Sequence, residues 1–165
     1  SQLKPAFKPD GVITAGNSSQ ISDGAAALLL VSEDILNKFN LEPIAKIKSM
    51  AVVGTDPVLM LSGPIPATRK ALDQAKLKPE DINLAEINEA FSSVVGAWRK
   101  EFPEINYENV NANGGSIAIG HPLGATGARL MTNLIHEMKR NKLKYGLQAI
   151  CEGGGTANAT IVELV

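Results

Sequence analysis

Asn113-Gly-Gly-Ser-Ile-Ala-Ile-Gly-His-Pro-Leu-Gly-Ala-Thr-Gly127 is the stretch on which the reading of this chain turns, with five glycines in fifteen positions around one histidine. Glycine at that density permits positive φ and lets backbone N–H groups approach a ligand closely. The loop empties into a long helix expected to reach about Asn141, with Leu130, Leu134 and Met138 as its apolar stripe. A helix N-terminus favours negative charge, so a phosphate or an acyl oxyanion suits the place. Neither standard phosphate motif fits, because G-x-G-x-x-G is absent and five positions after Gly120 stands Ala125 where a P-loop has Gly-Lys. His121 precedes Pro122, which holds it in the extended region. An imidazole on such a loop can act as a general base, or donate from Nε2 to a developing oxyanion. The alternative is a histidine that only satisfies loop carbonyls.

Working outward, strands and helices alternate, and the expected architecture is a layered α/β domain, a mixed sheet covered by helices. Upstream, the patterning predicts a helix over 33–39 capped by Ser32, a strand over 43–53, a loop over 54–66 and a helix over 67–76. A short strand from Leu84 to Ile87 and a helix from Glu89 to Lys100 follow. Two strands, Gly146 to Cys151 and Ala159 to Val165, flank Glu152-Gly-Gly-Gly-Thr-Ala-Asn158. The run Ala25 to Val31 fits a strand or a buried helix equally.

Three further residue groups deserve weighing. Cys151 closes a strand and enters Gly153 to Gly155, whose backbone N–H groups beside a sulfur suit a thiolate or an oxyanion site; its plain reading is a small buried hydrophobe. Asn88 and Glu89 stand where a strand ends and a helix begins, the usual position of site residues in α/β sheets. The plainer role of Asn88 is to cap that helix. His136 and the basic run Lys139, Arg140, Lys142 and Lys144 are read as a solvated face and as cations at a helix C-terminus.

Composition narrows the classes. The chain has 165 residues, 44% hydrophobic and 20% charged, values typical of a globular domain. A net charge of −1 offers no footprint for nucleic acid or an anionic membrane surface. With a single cysteine there is neither an internal disulfide nor a cysteine-based zinc cage, which points to a reducing, cytoplasmic setting without a metal. No apolar run approaches the roughly 18 residues of a membrane span.

Taken in order, Asn88-Glu-Ala-Phe91, Gly120-His-Pro-Leu-Gly-Ala-Thr-Gly127 and Cys151-Glu-Gly-Gly-Gly155 resemble the C-terminal half of the thiolases, the acyl-CoA acyltransferase family. Val12 to Ala27 and Gly63-Pro-Ile-Pro-Ala67 resemble it too, so the likeness covers nearly the whole chain. The resemblance implies that His121 activates a nucleophilic cysteine and donates to the oxyanion hole of an acyl-CoA thioester. It implies that Asn88 holds a water as the second donor of that hole. Cys151 becomes the acid/base that moves a proton to and from the substrate α-carbon or the CoA sulfur, and Gly153 a backbone donor to the oxyanion of the acyl-enzyme. Met60 and Phe91 match positions lining the pantetheine tunnel. Enolate chemistry near neutral pH needs donors at the oxygen and a base at the carbon; a low-pKa thiol can be such a base and a His/Asn-bound water pair such donors.

Two departures qualify the likeness. Ala157 and Asn158 follow Thr156 where family members commonly have Gly and an apolar residue, and with Glu152 they resemble the branch that degrades larger 3-oxoacyl or sterol-derived chains. The acyl-accepting cysteine and the CoA-binding loop domain, which precede this region in the family, have no counterpart among the 165 residues. The chain also opens on Ser1 rather than Met. The expectation is a C-terminal catalytic half, residues 33–165, with residues 1–32 a remnant of the N-terminal half. Such a chain is expected to be inactive alone, to use CoA thioesters as substrates without a cofactor, and to pair with the N-terminal half in a homo-oligomer. The alternatives are a non-catalytic CoA-binding or assembly partner and, on the glycines only, a nucleotide-binding module.

Overall fold

The structure is a computed structural model describing residues 2–165. Helix α1 (Glu33–Phe39) starts where the Ser32 hydroxyl accepts from the Ile35 amide at 3.4 Å, with Glu33 and Asp34 on the positive helix end. Then come strand β1 (Ala45–Gly54), helix α2 (Pro64–Ala75), strand β2 (Leu84–Ile87) and helix α3 (Ser92–Glu101). A single turn α4 (Ser116–Ile119) precedes α5 (Thr126–Asn141), and β3 (Tyr145–Cys151) and β4 (Thr156–Leu164) finish the chain.

The strands form one mixed four-stranded sheet in the order β1-β4-β3-β2. β4 runs antiparallel to both its neighbours, and β2 pairs parallel with β3. Alternation along β3 divides two layers. Leu147 and Ala149 join Ala71, Leu72 and Trp98 in the larger core beneath α2 and α3. Gly146, on the other face, lies against α5, where a Cβ would come within 3.0 Å of the Leu134 side chain. Leu134 and Met138 of α5 pack there with Leu84 and Val162. The expected α/β architecture is therefore the observed one.

The differences from expectation have local causes. α2 begins at Pro64 rather than 67, since a proline at the first helical position has no N–H to satisfy. α3 begins at Ser92 rather than Glu89 because Phe91 stays extended, bridging Ser18, and occupies the cap position. Asn88 consequently caps nothing, and its side chain is free for another partner. β4 begins at Thr156 rather than 159, because Ala157 and Asn158 pair with both β3 and β1. Segment 25–31 is neither strand nor buried helix: it has no ladder partner among the described residues, and Leu29 is 83% exposed. No helix among the described residues is long and apolar enough to cross a membrane.

Candidate active site

Parallel pairing brings the first two side chains together. With Ile87 opposite Ala149, β2 and β3 end on the same edge of the sheet, and the Asn88 amide donates to the Ala149 carbonyl at 2.9 Å. Beyond that bond the Asn88 side-chain Nδ2 donates to Cys151 Sγ at 3.8 Å, and both residues are buried. Asn88 and Cys151 are thus neighbours although 63 positions separate them. Burial pushes the Cys151 thiol above its ordinary value, the Asn88 hydrogen bond pulls it down, and the Glu152 charge pushes it up. The net direction is upward, because desolvation outweighs the hydrogen bonds from Asn88 and the backbone. A thiolate formed here is accordingly a strong base, and its thiol a reluctant acid.

The chain leaves Cys151 through a glycine turn. Gly155 adopts φ +87, and a Cβ there would meet the Thr55 carbonyl oxygen at 2.7 Å, so only glycine fits. The Gly155 carbonyl accepts from Thr55 N at 2.7 Å and from its hydroxyl at 2.9 Å, which ties the β1–α2 loop to the turn. Gly153 is exposed and has open space around it. Glu152 is held by Asn158 at 2.6 Å and by the Thr156 hydroxyl at 2.9 Å, on the rim.

His121 is fixed independently. Its backbone N–H donates to Gln20 at 2.8 Å, and its Nδ1 lies 2.7 Å from the Thr126 hydroxyl. The Thr126 proton goes to the Pro122 carbonyl at 2.8 Å, so Thr126 Oγ1 accepts from His121 Nδ1–H. Neutral His121 therefore carries its lone pair on Nε2, ready to take a proton and then to donate it. Burial and the charge of Arg129 both lower its pKa, which keeps the ring neutral with its Nε2 lone pair free near pH 7.

His121 makes no hydrogen bond to Asn88 or Cys151 among the described residues; what links them is Arg129. The guanidinium Nη2 donates to the buried Ser116 hydroxyl at 3.2 Å, and Ser116 Oγ donates to Asn88 Oδ1 at 3.4 Å. Glu86, on the α5 side of β2, is wholly buried with neither carboxyl oxygen partnered, and its pKa is pushed up to about 8. Glu89 turns away from this cluster to accept from the Ile117 amide at 3.1 Å, pinning α4.

Neither Met60 nor Phe91 makes a side-chain hydrogen bond to this cluster among the described residues. Met60 lies in the β1–α2 loop, half-buried at φ 23, and Phe91 packs edge-on against Phe7 at 5.7 Å. His136 is exposed, as expected. Sequence reasoning passed over Ser116, Thr126 and Arg129. The available signal was two hydroxyls, Ser116 and Thr126, inside the glycine-rich stretch and an arginine two residues past its end.

Asn88 and Cys151 at the shared end of β2 and β3, with the tautomer-fixed His121 on the loop before α5, make up the candidate site of a mixed-sheet α/β domain. The family profile described as thiolase, C-terminal domain, matches residues 41–164, and that described as thiolase, N-terminal domain, matches residues 1–34. The chain is 55% identical to the steroid 3-ketoacyl-CoA thiolase FadA6 of Mycobacterium tuberculosis, over 93% of this chain and 37% of that protein. It is 48% identical to the acetyl-CoA acetyltransferase of Shinella zoogloeoides, over 99% of this chain and 41% of that protein. The crystal structure of the Bacillus anthracis acetyl-CoA acetyltransferase superposes with a TM-score of 0.95 at 45% identity, over 99% of this chain and 41% of that one. Human mitochondrial 3-ketoacyl-CoA thiolase in complex with CoA does so at 0.92 and 40%, with the same coverage. The chain belongs to the thiolase family, and it spans about two fifths of the length of these relatives.

Proposed function

We propose that this chain supplies the acid/base and oxyanion-binding part of a thiolase site, serving acyl-CoA plus acetyl-CoA to 3-oxoacyl-CoA plus CoA in either direction. The observation that carries the proposal is the buried contact of Asn88 Nδ2 with Cys151 Sγ at the shared end of β2 and β3. In the cleavage direction a cysteine from outside these residues attacks the 3-oxo carbon, and His121 Nε2 takes its proton. The bond between the α-carbon and that carbon breaks, and its electron pair becomes the enolate of acetyl-CoA. The Cys151 thiol protonates the enolate carbon, while the His121 N–H and a water held by Asn88 meet its oxygen. The Cys151 thiolate then takes the proton of the incoming CoA thiol, whose sulfur takes the acyl group, and the released cysteine thiolate recovers its proton from His121 Nε2–H. Gly153 N–H meets the oxyanion of that step.

Substrates are CoA thioesters and no further cofactor takes part; Met60 and Phe91 flank the pantetheine arm. The higher identity to the steroid thiolase than to the acetyltransferase supports a larger 3-oxoacyl chain, in fatty acid or sterol degradation. Residues 1–32 belong with an N-terminal half and 33–165 form the C-terminal domain, a division that the two profile matches support. The lone free thiol supports a reducing, cytoplasmic setting.

The test is a chimera in which residues 1–165 replace the matching segment of the Bacillus anthracis enzyme, assayed for thiolysis of a 3-oxoacyl-CoA beside the unfused chain. The chimera should turn over, Cys151→Ala and His121→Ala should each cost at least about a hundredfold, and the unfused chain should be silent. Turnover by the unfused chain at the chimera's rate, or a Cys151→Ala chimera of undiminished rate, refutes the proposal.

A further inference from the structure

We infer that Ser116 and Arg129 are positioning residues: together they set which way the Asn88 amide faces, and so present an N–H rather than a carbonyl to Cys151. A guanidinium can only donate. Arg129 Nη2 lies 3.2 Å from Ser116 Oγ, so it occupies a lone pair of that hydroxyl, and the hydroxyl proton must go elsewhere. The acceptor within reach is Asn88 Oδ1 at 3.4 Å. Once Oδ1 is bound to Ser116, Nδ2 is left facing Cys151 Sγ at 3.8 Å. Turning the amide over would aim two donors at Ser116, strand its buried proton and set a carbonyl oxygen against the sulfur. Ser116 and Asn88 are 0% and 1% exposed, so no solvent water can make good such a loss.

The surroundings of Arg129 reinforce this direction. Its Nε is buried without a partner, and Glu86, a carboxyl that feels the Arg129 charge, accepts no hydrogen bond. The Ser116 hydroxyl is therefore the one hydrogen-bond acceptor recorded for the guanidinium among the described residues. Burial first and the same cation second lower the His121 pKa, so one half-buried arginine both orients the amide and disfavours the imidazolium. The inference rests on the thiolase reading only in taking Cys151 as the working thiol; the geometry is independent of it.

The experiment follows the Cys151 thiol in the full chain, without turnover. The rate of alkylation by iodoacetamide is measured against pH for the wild type, Ser116→Ala, Asn88→Ala and the double variant. Loss of the Ser116 hydroxyl should raise the apparent thiol pKa by about one unit, slowing alkylation about tenfold below it. In the Asn88→Ala background the same change should do nothing, because its effect runs through the amide. An equal shift in both backgrounds, or none in either, overturns the inference. Should a variant fail to fold, the wild type decides alone. The assigned Asn88 side-chain NH2 resonances should move as Cys151 titrates, and amide resonances that ignore the thiol overturn the orientation. Alkylation requires no acyl transfer, so an inactive chimera with a Ser116-dependent thiol profile refutes the proposed function and leaves this inference standing.

Discussion

Replacing Glu86 by glutamine should remove a pH dependence of stability that the fold imposes. Glu86 lies on β2, 0% exposed, with neither carboxyl oxygen partnered. Burial lifts its pKa from an ordinary 4.5 to about 8; the Arg129 charge opposes the rise and the Glu137 charge adds to it. The folded-state value is raised, so the stabilising protonated form is fully present below the unfolded value and is lost as pH climbs through the folded one. Between 4.5 and about 8 the native state keeps a proton that the unfolded chain has released. Stability must fall across that window by about 1.4 kcal/mol per pH unit from this residue, approaching a total of about 3–5 kcal/mol. Glu86→Gln keeps the shape and cannot ionise. The assay is urea unfolding at pH 5, 6, 7 and 8.5, followed by the fluorescence of Trp98, the single tryptophan, which is wholly buried. Near pH 5 the two proteins should match within about 1 kcal/mol, and at pH 8.5 the variant should be the more stable by about 3 kcal/mol. Subtracting one pH series from the other cancels the histidines, whose titration both proteins share. Parallel series would refute the reasoning and would mean that Glu86 is ionised and satisfied in the native state.

Two further outcomes follow from packing. Trp98 Nε1 donates to the Thr68 hydroxyl at 2.9 Å with both residues wholly buried, so Thr68→Val should lower the urea stability by about 1–3 kcal/mol through an orphaned indole N–H. The glycine turn should separate by position: Gly155→Ala, at φ +87 and against the Thr55 carbonyl, should cost about 2 kcal/mol or more, whereas Gly153→Ala, with nothing within 4 Å, should leave the melting temperature unchanged.

Much of the fold is legible residue by residue. Ser32 followed by two acids starts a helix because the hydroxyl accepts from a first-turn N–H and the carboxylates favour the positive helix end, and α1 begins there. Leu84 to Ile87 is buried at every position, its apolar members as expected of a strand in a sheet covered on both faces and Glu86 as the exception. Segment 25–31 misleads because apolar content alone does not make a strand, which exists only through hydrogen bonds to a neighbour. The helix expected at Glu89 starts late because Phe91 pairs with Ser18, a contact 73 positions distant that no local pattern encodes.

The site divides in the same way. Its residue types are sequence properties: a histidine locked before proline, an asparagine at a strand end, and a cysteine opening a glycine turn each show their chemistry locally. Their relation is not. Asn88 meets Cys151 because β2 and β3 run parallel and in register, so both strands deliver their ends to one edge. The imidazole tautomer depends on Thr126, and the facing of the Asn88 amide on Ser116 and Arg129, through hydrogen bonds that exist only once α4 and α5 are packed against the sheet. The sign of the Cys151 shift likewise follows from burial, which is a property of the assembled layers rather than of neighbours in the chain. The amino-acid order specifies which groups are available and where each element begins. Which atom of each group faces its neighbour, and in what protonation state, depends on the packing, because hydrogen-bond direction and desolvation arise only between parts distant in sequence.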